Sequence, residues 1–231
     1  MEIFPGIRVK GLSLIAKDVL IIADVHIGLE EALNKQGIFI PRFQFGEIIK
    51  KMEEILKGEK IKTVVIAGDL KHEFGEISNQ EWRHTLQFLD FLMKHAKEIV
   101  LVRGNHDKIL GPIASRRGIK VVESYSADDF IVLHGDKKPK SIKEKTIIIG
   151  HEHPAVTIGE GPRRELVKCF LVGKWKKKNL VVLPSFNLVH EGSDVLKEKL
   201  LSPFLRNDIS DFEVYVVSDR IYSFGRLRNL R

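Results

Sequence analysis

The sequence predicts an α/β protein built from two packed, mixed β-sheets with helices on their outer sides. Short apolar, β-branched runs recur along the chain without alternation, which is typical of strands buried on both faces. Helical patterns separate the early runs, and hairpins dominate the second half. No internal repeat or linker divides the 231 residues, so we expect a single domain covering residues 1–231.

Six runs of four or five residues carry the strand prediction, and most of them end beside Gly, Asp or His. They are residues 19–23, 63–67, 99–102, 130–133, 146–149 and 180–183. Apolar side chains at helical spacing predict helices over residues 43–56 and 79–96. Strands that alternate with helices up to about residue 117 indicate βαβ units and a largely parallel sheet.

Two hairpins are predicted in the second half of the chain. Residues 173–179 form a loop between runs 166–172 and 180–183, and a Ser-Asp turn joins runs 212–217 and 221–224. These hairpins make the second sheet mixed rather than parallel.

Composition excludes several classes of protein. With 43% hydrophobic and 30% charged residues, the chain is typical of a globular protein and not of a disordered one. Its longest apolar runs, of about five residues, are far shorter than the roughly 20 that a membrane span needs. The single cysteine, Cys169, excludes a disulfide framework and a cysteine-based zinc site. The N-terminal residues lack the pattern of a signal peptide, so we expect a cytoplasmic protein.

The net charge is positive, because 38 Lys and Arg residues outnumber 31 Asp and Glu residues and give a formal +7. Such an excess favours a polyanionic partner, although a heat-adapted protein with a Lys- and Glu-rich solvated surface would show it too. Trp175 stands among four lysines between Lys174 and Lys178. This combination can stack a base and neutralise phosphate, but a charged hairpin tip is usually only solvated. Other basic pairs are Arg116-Arg117, Lys137-Lys138 and Arg163-Arg164.

Side chains that can bind metal follow directly on the predicted strands. The carboxyl ends of strands in an open α/β sheet converge on one crevice, so we expect these groups at a common rim. In chain order they are Ala23-Asp24-Val25-His26, Gly68-Asp69, Gly104-Asn105-His106-Asp107, Leu133-His134-Gly135 and Gly150-His151-Glu152-His153.

Carboxylate, amide and imidazole groups are ligand types for a pair of divalent transition metals. Asp24-x-His26 and His151-x-His153 each place two ligands on one side of an extended segment, because side chains alternate there. Asp69 stands alone after its strand, which suits a carboxylate that bridges two ions. Each motif alone is weak, but five of them in order after predicted strands favour a metal centre over ordinary turns.

The ordered motifs resemble those of the calcineurin-like metallophosphoesterase superfamily, and the likeness covers residues 19–153. Three further segments, residues 24–28, 68–72 and 183–187, resemble its small DNA-repair-associated branch. That branch includes the bacterial endonucleases associated with a DNA ligase and their archaeal relatives. The resemblance implies a four-layer αββα sandwich, in agreement with the two sheets predicted above.

Carried over residue by residue, the resemblance implies two divalent metal ions, with manganese expected and iron, zinc or nickel as alternatives. The residues implied for the first ion are Asp24, His26, Asp69 and His153. Those implied for the second ion are Asp69, Asn105, His134 and His151. His106 is implied to face the substrate.

Two such ions bind phosphoryl oxygens and lower the pKa of a shared water, so the expected nucleophile is a metal-bridging hydroxide. His106 is placed to protonate the leaving oxygen or to stabilise the transition-state charge. Asp107 either orients His106 or caps the turn. The predicted activity is phosphodiester hydrolysis, with DNA or RNA as a possible substrate.

Two departures from other members of the superfamily narrow this prediction. The protein Ser/Thr phosphatases carry an Arg soon after Gly-Asp, and here none follows within five residues, although Arg103 precedes Gly104 as it does in those enzymes. The recombination-repair nucleases carry a large cap after His-x-His, whereas the residues after His153 have the pattern of core strands. The candidates for contact with substrate phosphate are Lys71, His72, Arg103 and Asn187.

Two alternatives to a phosphodiesterase or nuclease stay open. One is a phosphatase that acts on small phosphate esters, and the other is a metal-stabilised scaffold that binds nucleic acid or a partner without turnover. The complete ligand set and His106 favour catalysis, because a scaffold needs no acid. The sequence signatures of P-loop, dinucleotide-binding, serine-hydrolase and zincin enzymes do not occur.

Overall fold

The structure is a computed structural model that describes residues 1–41, 43–73, 78–107, 110–159, 161 and 163–230, except for the side chains of residues 112 and 113. In these ranges the chain forms two mixed sheets with α-helices packed against the first of them. The predicted α/β fold with two mixed sheets is confirmed.

The first sheet consists of seven strands that lie side by side in chain order. They are β1 (Glu2–Phe4), β2 (Ile7–Lys10), β3 (Ser13–Ala16), β4 (Val19–Ile22), β5 (Thr63–Ala67), β6 (Glu98–Val102) and β7 (Lys120–Val122). Strands β1 to β4 are antiparallel, whereas β4 to β7 are parallel. The carboxyl ends of β4, β5 and β6 therefore meet at one edge of the sheet.

The second sheet consists of nine strands. They are β8 (Tyr125–Ala127), β9 (Phe130–Leu133), β10 (Thr146–Ile149), β11 (Pro154–Ile158), β12 (Glu165–Trp175), β13 (Lys178–Val182), β14 (Ser193–Asp194), β15 (Glu213–Val217) and β16 (Ile221–Arg226). Their order is β14-β11-β12-β13-β10-β9-β8, and β15 joins β12 to β16. Strands β9, β10 and β13 are parallel, so β9 and β10 also end side by side.

Two long helices cover the outer face of the first sheet. The α-helices are α1 (Leu29–Lys35), α2 (Gln44–Leu56), α3 (Asn79–His95) and α4 (Gly111–Ser115). Met52 of α2 and Phe88 of α3 are fully buried against strand residues such as Ile66. The start of α3 is fixed by Ser78, whose hydroxyl accepts the Glu81 N–H at 3.0 Å.

A second apolar cluster lies between the two sheets and includes Ile21 and Val65 from the first sheet with Val132 and Ile148 from the second. A third covers the outer face of the second sheet. There Phe204 and Leu227 lie in 3₁₀-helices, Pro203–Leu205 and Leu227–Leu230, and not in α-helices. The fourth layer of the sandwich is therefore thin in the described residues.

The predicted loop at residues 173–179 is wrong in length. Strands β12 and β13 continue to Trp175 and Lys178, which pair with each other, so only two residues form the turn. Lys176 has φ +55, which allows the chain to reverse this tightly. Among the described residues, no helix is long and apolar enough to cross a bilayer.

Candidate metal centre

A cavity of about 320 Å³ opens where strands of both sheets end. The turns after β4, β5 and β6 supply His26, Asp69 and Asn105 to its wall, and the turn after β10 supplies His151 and His153. Asp24 and His134 are buried. The side chains that follow the strand ends therefore converge on one cavity, as expected, and they come from both sheets.

The first group of donor atoms consists of Asp24, His26 and His153, whose donor atoms all lie within 4.8 Å of one another. The Nε2 atoms of His26 and His153 are 3.3 Å apart, and His153 Nε2 is 3.6 Å from Asp24 Oδ1. These three residues come from β4 and β10, one strand of each sheet.

The second group consists of Asp69, His134 and His151, with donor atoms again within 4.8 Å of one another. His134 Nε2 lies 3.1 Å from His151 Nδ1 and 3.4 Å from Asp69 Oδ2. The side-chain oxygen of Asn105 is 2.8 Å from the same His134 nitrogen. All four residues predicted for the second ion therefore lie together.

Asp69 lies between the two groups. Its Oδ2 is 3.4 Å from His134 Nε2 of the second group and 3.9 Å from His26 Nε2 of the first. This is the position that a carboxylate shared by two ions requires.

Five predicted ligands adopt left-handed backbone conformations that non-glycine residues rarely use. With φ between 47° and 69°, they are Asp24, His26, Asp69, His151 and His153. Each such residue costs of order 1–3 kcal/mol and persists only where its surroundings fix it. Neighbouring strands supply that restraint, since the Asp24 and His26 N–H groups donate to the Gly68 and Asp69 carbonyls at 3.1 and 2.9 Å.

Glycines beside the ligands allow close approach of the donor side chains. A Cβ added to Gly68 would lie 2.1 Å from His134 Nδ1, and one added to Gly104 would lie 2.1 Å from Asp69 Oδ1. A Cβ on Gly150 would lie 2.6 Å from Asp24 Oδ2. The side chains of the predicted ligands therefore occupy the space that a side chain at these glycine positions would fill.

The orientation of His134 leaves one ring nitrogen available for a metal. Its Nδ1 lies 3.2 Å from the Ala67 carbonyl, which can only accept a hydrogen bond. A proton on Nδ1 would be donated to this carbonyl and would leave the lone pair of Nε2 directed toward Asp69, Asn105 and His151. Metal-bound histidines are commonly fixed by such a contact.

The two aspartates differ strongly in acidity. Burial, together with the charges of Asp24 and Asp107, raises the pKa of Asp69 to about 9. Burial acts in the same direction on Asp24, but attraction to His153 and His134 outweighs it and lowers its pKa to about 2.

Two histidines of the site, His26 and His151, favour the neutral form that binds metal. Burial and the proximity of His134 lower the pKa of His151 to about 4. Burial and the proximity of His153 also hold the pKa of His26 well below its ordinary value. Neutral imidazoles do not compensate the charges of closely spaced carboxylates, so a bound cation would favour the ionised form of Asp69.

A second, independent observation supports the fit of this donor set to divalent cations. Asp24 Oδ1 is fully buried and has no hydrogen-bond partner among the described residues. A buried carboxylate oxygen without a partner is costly, and a bound cation would supply the missing interaction. Oxygen and imidazole donors together suit first-row transition metals.

His106 lies at the rim of the cavity, where its Nε2 is 4.0 Å from Asp69 Oδ2. Its Nδ1 is 2.5 Å from the His72 carbonyl, and its backbone N–H donates to Asp69 Oδ1 at 2.9 Å. Burial lowers the pKa of His106 from its ordinary value. Asp107 accepts the backbone N–H groups of Gly104 and Lys71 at 3.1 and 3.5 Å, which are contacts of a turn cap.

The four candidates for phosphate contact lie in different environments. His72 lines the cavity and forms a third close group with His26 and His106. Asn187 also lines it, but its amide oxygen accepts the N–H groups of Val189 and His190, and its nitrogen donates to Val25.

Lys71 and Arg103 do not line this cavity as far as the described residues show. Lys71 is fully buried, and its ammonium group donates to the Glu73 carbonyl. Because its side chain is buried, Lys71 does not present an exposed ammonium group to a substrate phosphate. Arg103 is half-exposed and pairs with Glu123 at 3.5 Å beside a different cavity.

Sequence analysis missed several residues that line the cavity, among them Ser185, His190 and Leu201. They come from loops after β13. Ser185 lies in the segment 183–187 that carries part of the family resemblance, whereas no local motif marks His190 or Leu201. Glu152 was named only as the middle residue of a motif. Its buried carboxylate accepts the N–H groups of Leu201 and Ser202 at 3.0 and 2.7 Å and so fixes the loop that forms one wall.

A family model described as calcineurin-like phosphoesterase matches residues 17–210. Because this match covers most of the chain, the protein belongs to that family, and the resemblance found in the sequence is confirmed. The crystal structure of Pseudomonas putida nuclease MPE shares the fold, with a TM-score of 0.65 and 21% identity over 92% of this chain and 91% of that one.

Two curated relatives are DNA polymerase II small subunits. The protein of Archaeoglobus fulgidus is 29% identical over 120 residues, which are 46% of this chain and 24% of that protein. The protein of Methanocaldococcus jannaschii is 29% identical over 99 residues, which are 38% of this chain and 16% of that protein. The chain thus matches less than a third of the length of either relative.

Proposed function

We propose that this protein is a dinuclear, manganese-dependent phosphodiesterase of the nuclease type. The observation that carries the proposal is the pair of donor groups that meet at Asp69 beside one open cavity. The relatives support a nucleic-acid substrate, since one is named a nuclease and two are named subunits of a DNA polymerase.

The proposed ligands follow the two donor groups. The first ion would be held by Asp24, His26, Asp69 and His153, and the second by Asp69, Asn105, His134 and His151. When bound, two such ions supply Lewis acidity toward the phosphoryl oxygens and a water of lowered pKa.

His106 is the proposed proton donor to the leaving oxygen. Because the His72 carbonyl can only accept, Nδ1 keeps its proton and Nε2 exchanges the proton used in the reaction. The role requires the imidazolium form. Burial disfavours that form, whereas the negative charge of a bound phosphodiester favours it.

His72 is the proposed contact for a non-bridging phosphate oxygen. Its ring lines the cavity, and its centroid lies 5.5 Å from that of His106. Asp107 and Asn187 act through the backbone, since their hydrogen bonds hold the turns that carry the ligands.

The test measures metal content and activity in the same preparations. Protein stripped with a chelator is loaded with manganese, iron, zinc or nickel and assayed on bis-p-nitrophenyl phosphate. We expect hydrolysis that depends on added metal and is highest with manganese. Asp69→Ala should lose metal and activity together, because the remaining donors would hold two cations without a shared anion.

Asp219→Ala is the matched control, since Asp219 is an exposed carboxylate in the turn before β16. It should retain both metal and rate. Normal metal content in Asp69→Ala would overturn the dinuclear assignment. A metal-loaded parent that hydrolyses neither this diester nor an oligonucleotide would favour the scaffold alternative.

A further inference from the structure

A second cavity, of about 490 Å³, adjoins the candidate metal centre. It is lined by Arg103 after β6, Glu123 after β7 and several of residues 133–140 at the end of β9. His134 belongs both to this lining and to the second donor group. Arg103 stands two residues before Asn105, which lines the first cavity. The same loops therefore build both cavities.

The second cavity has an excess of positive charge. Its lining holds four cationic side chains, Arg103, Lys137, Lys138 and Lys140, and two carboxylates, Glu123 and Asp136. Glu123 forms ion pairs with two of these cations, since its carboxylate lies 3.5 Å from Arg103 and 3.0 Å from Lys137. The hydrogen bond from Lys137 lowers the pKa of Glu123, so this carboxylate stays ionised and is already engaged.

Cations from a second segment extend this surface. The ammonium groups of Lys138 and Lys176 lie 5.5 and 4.6 Å from the centre of the Trp175 ring. Trp175 also packs on Phe204, with ring centroids 5.1 Å apart, and is only partly exposed. The indole therefore contacts two lysines from different loops, and these lysines add positive charge beside the second cavity.

We propose that this second cavity binds backbone phosphates of a single-stranded nucleic acid next to the ester that is hydrolysed. This inference rests on the proposed function and names its substrate class. A small ester in the first cavity has no further phosphate for these cations, whereas a polymer presents a row of them. A flexible single strand can turn its backbone into a concave cavity, but a duplex carries its phosphates on a stiff convex surface.

The test removes two exposed cations of the cavity in the double variant Lys138→Ala/Lys140→Ala. Binding of a phosphorothioate oligothymidylate to the metal-loaded protein is measured at several salt concentrations. We expect about tenfold weaker binding and a plot of log K against log salt that is shallower by roughly 0.7 for each lysine lost. The ratio of kcat/KM for an oligonucleotide to that for bis-p-nitrophenyl phosphate should fall by a similar factor.

Two control variants accompany this test. The first removes the same number of charges at another place, and the second keeps the two charges of the cavity. Lys50→Ala/Lys94→Ala removes two exposed lysines from α2 and α3, away from both cavities, and should bind like the parent. Lys138→Arg/Lys140→Arg keeps both charges and should keep the affinity and the salt dependence.

Several results would overturn the inference. They are equal binding by the parent and Lys138→Ala/Lys140→Ala, equal losses in that variant and in Lys50→Ala/Lys94→Ala, and a parent that prefers a duplex. A parent that hydrolyses the small diester and binds no oligonucleotide would end this inference and leave the proposed function intact. Absence of hydrolysis on every ester would instead end the proposed function.

Discussion

At the scale of single residues, the chemistry of each donor led from the sequence to the candidate metal centre. Asp69 shows the reason, because burial beside two other carboxylates raises its pKa to about 9 and makes its charge costly without a cation. Few residue types can supply a buried negative charge of this kind. Lys71 was less predictable, because its sequence neighbours do not reveal that its side chain is fully buried.

The role of His106 gives a prediction at this scale. His106→Ala should retain two metal ions and lose about 10²–10⁴-fold in rate, as expected for a general acid. The loss should be larger for alkyl esters than for nitrophenyl esters, whose leaving group needs little protonation. Metal analysis and steady-state rates on both substrates check this.

A control for His106 is His95→Ala, since His95 is exposed at the end of α3. It should be neutral in both assays. Equal losses of His106→Ala on the two ester types would assign His106 to phosphate positioning and not to proton transfer.

At the scale of elements, the geometry of the site depends on the backbone conformation of the turn that follows each strand. The sequence predicted strands β5, β9 and β10 with the observed bounds, because their apolar runs are sharply ended by Gly or His. It did not predict the left-handed conformation of Asp24 or Asp69, since a positive φ at aspartate is set by the neighbouring strand and not by local preference.

The close approach at Gly104 is the basis of a second prediction. In Gly104→Ala the new Cβ would lie 2.1 Å from Asp69 Oδ1 and 2.4 Å from the Asp69 backbone nitrogen. We expect a loss of about 1–3 kcal/mol in stability and weaker metal binding. Urea unfolding and metal analysis measure the two effects.

Gly46→Ala is the matched change, because it lies in α2 and a Cβ there would meet nothing within 4 Å. It should be neutral or stabilise the protein by about 0.5–1 kcal/mol. If Gly104→Ala behaves like Gly46→Ala, the packing of Asp69 against this turn does not constrain the site.

An ion-pair cluster links the edge of the first sheet to the chain after α2. Glu59 accepts hydrogen bonds from Arg8 and Lys10 of β2, the latter at 2.9 Å. The hydrogen bond from Arg8, helped by those from Lys10, outweighs desolvation and lowers the pKa of Glu59 to about 2. No local pattern predicts this contact, because the partners lie about 50 residues apart in the chain.

This cluster predicts a pH-dependent contribution to stability. Since the pKa of Glu59 is lower in the folded state, its contribution is complete above pH 4.5 and disappears as the pH falls toward 2. Glu59→Gln should therefore lower the free energy of unfolding by about 1 kcal/mol at pH 7, with a smaller difference at pH 3. Urea unfolding across this range measures it.

Glu54→Gln serves as the comparison, since Glu54 is exposed and lies 3.9 Å from Lys51. It should change stability by no more than a few tenths of a kcal/mol at either pH. A difference for Glu59→Gln that grows as the pH falls would contradict the assigned direction of the pKa shift.

At the scale of the whole molecule, the candidate metal centre lies where the two sheets meet. Asp24 and Asp69 come from the first sheet, and His134 and His151 come from the second, with an apolar cluster between the sheets. The α/β class and the parallel strands were predictable from local patterns. The branch at β12 and the thin fourth layer were not, because they depend on pairings between distant segments.

The central claim is that two metal ions act together at this junction. Its most direct test is titration of the metal-free protein with manganese, with bound metal and hydrolysis of bis-p-nitrophenyl phosphate measured at each step. We expect two equivalents of manganese per chain and activity that develops fully only as the second ion binds. Full activity with one equivalent, or activity that persists in the metal-free protein, would contradict it.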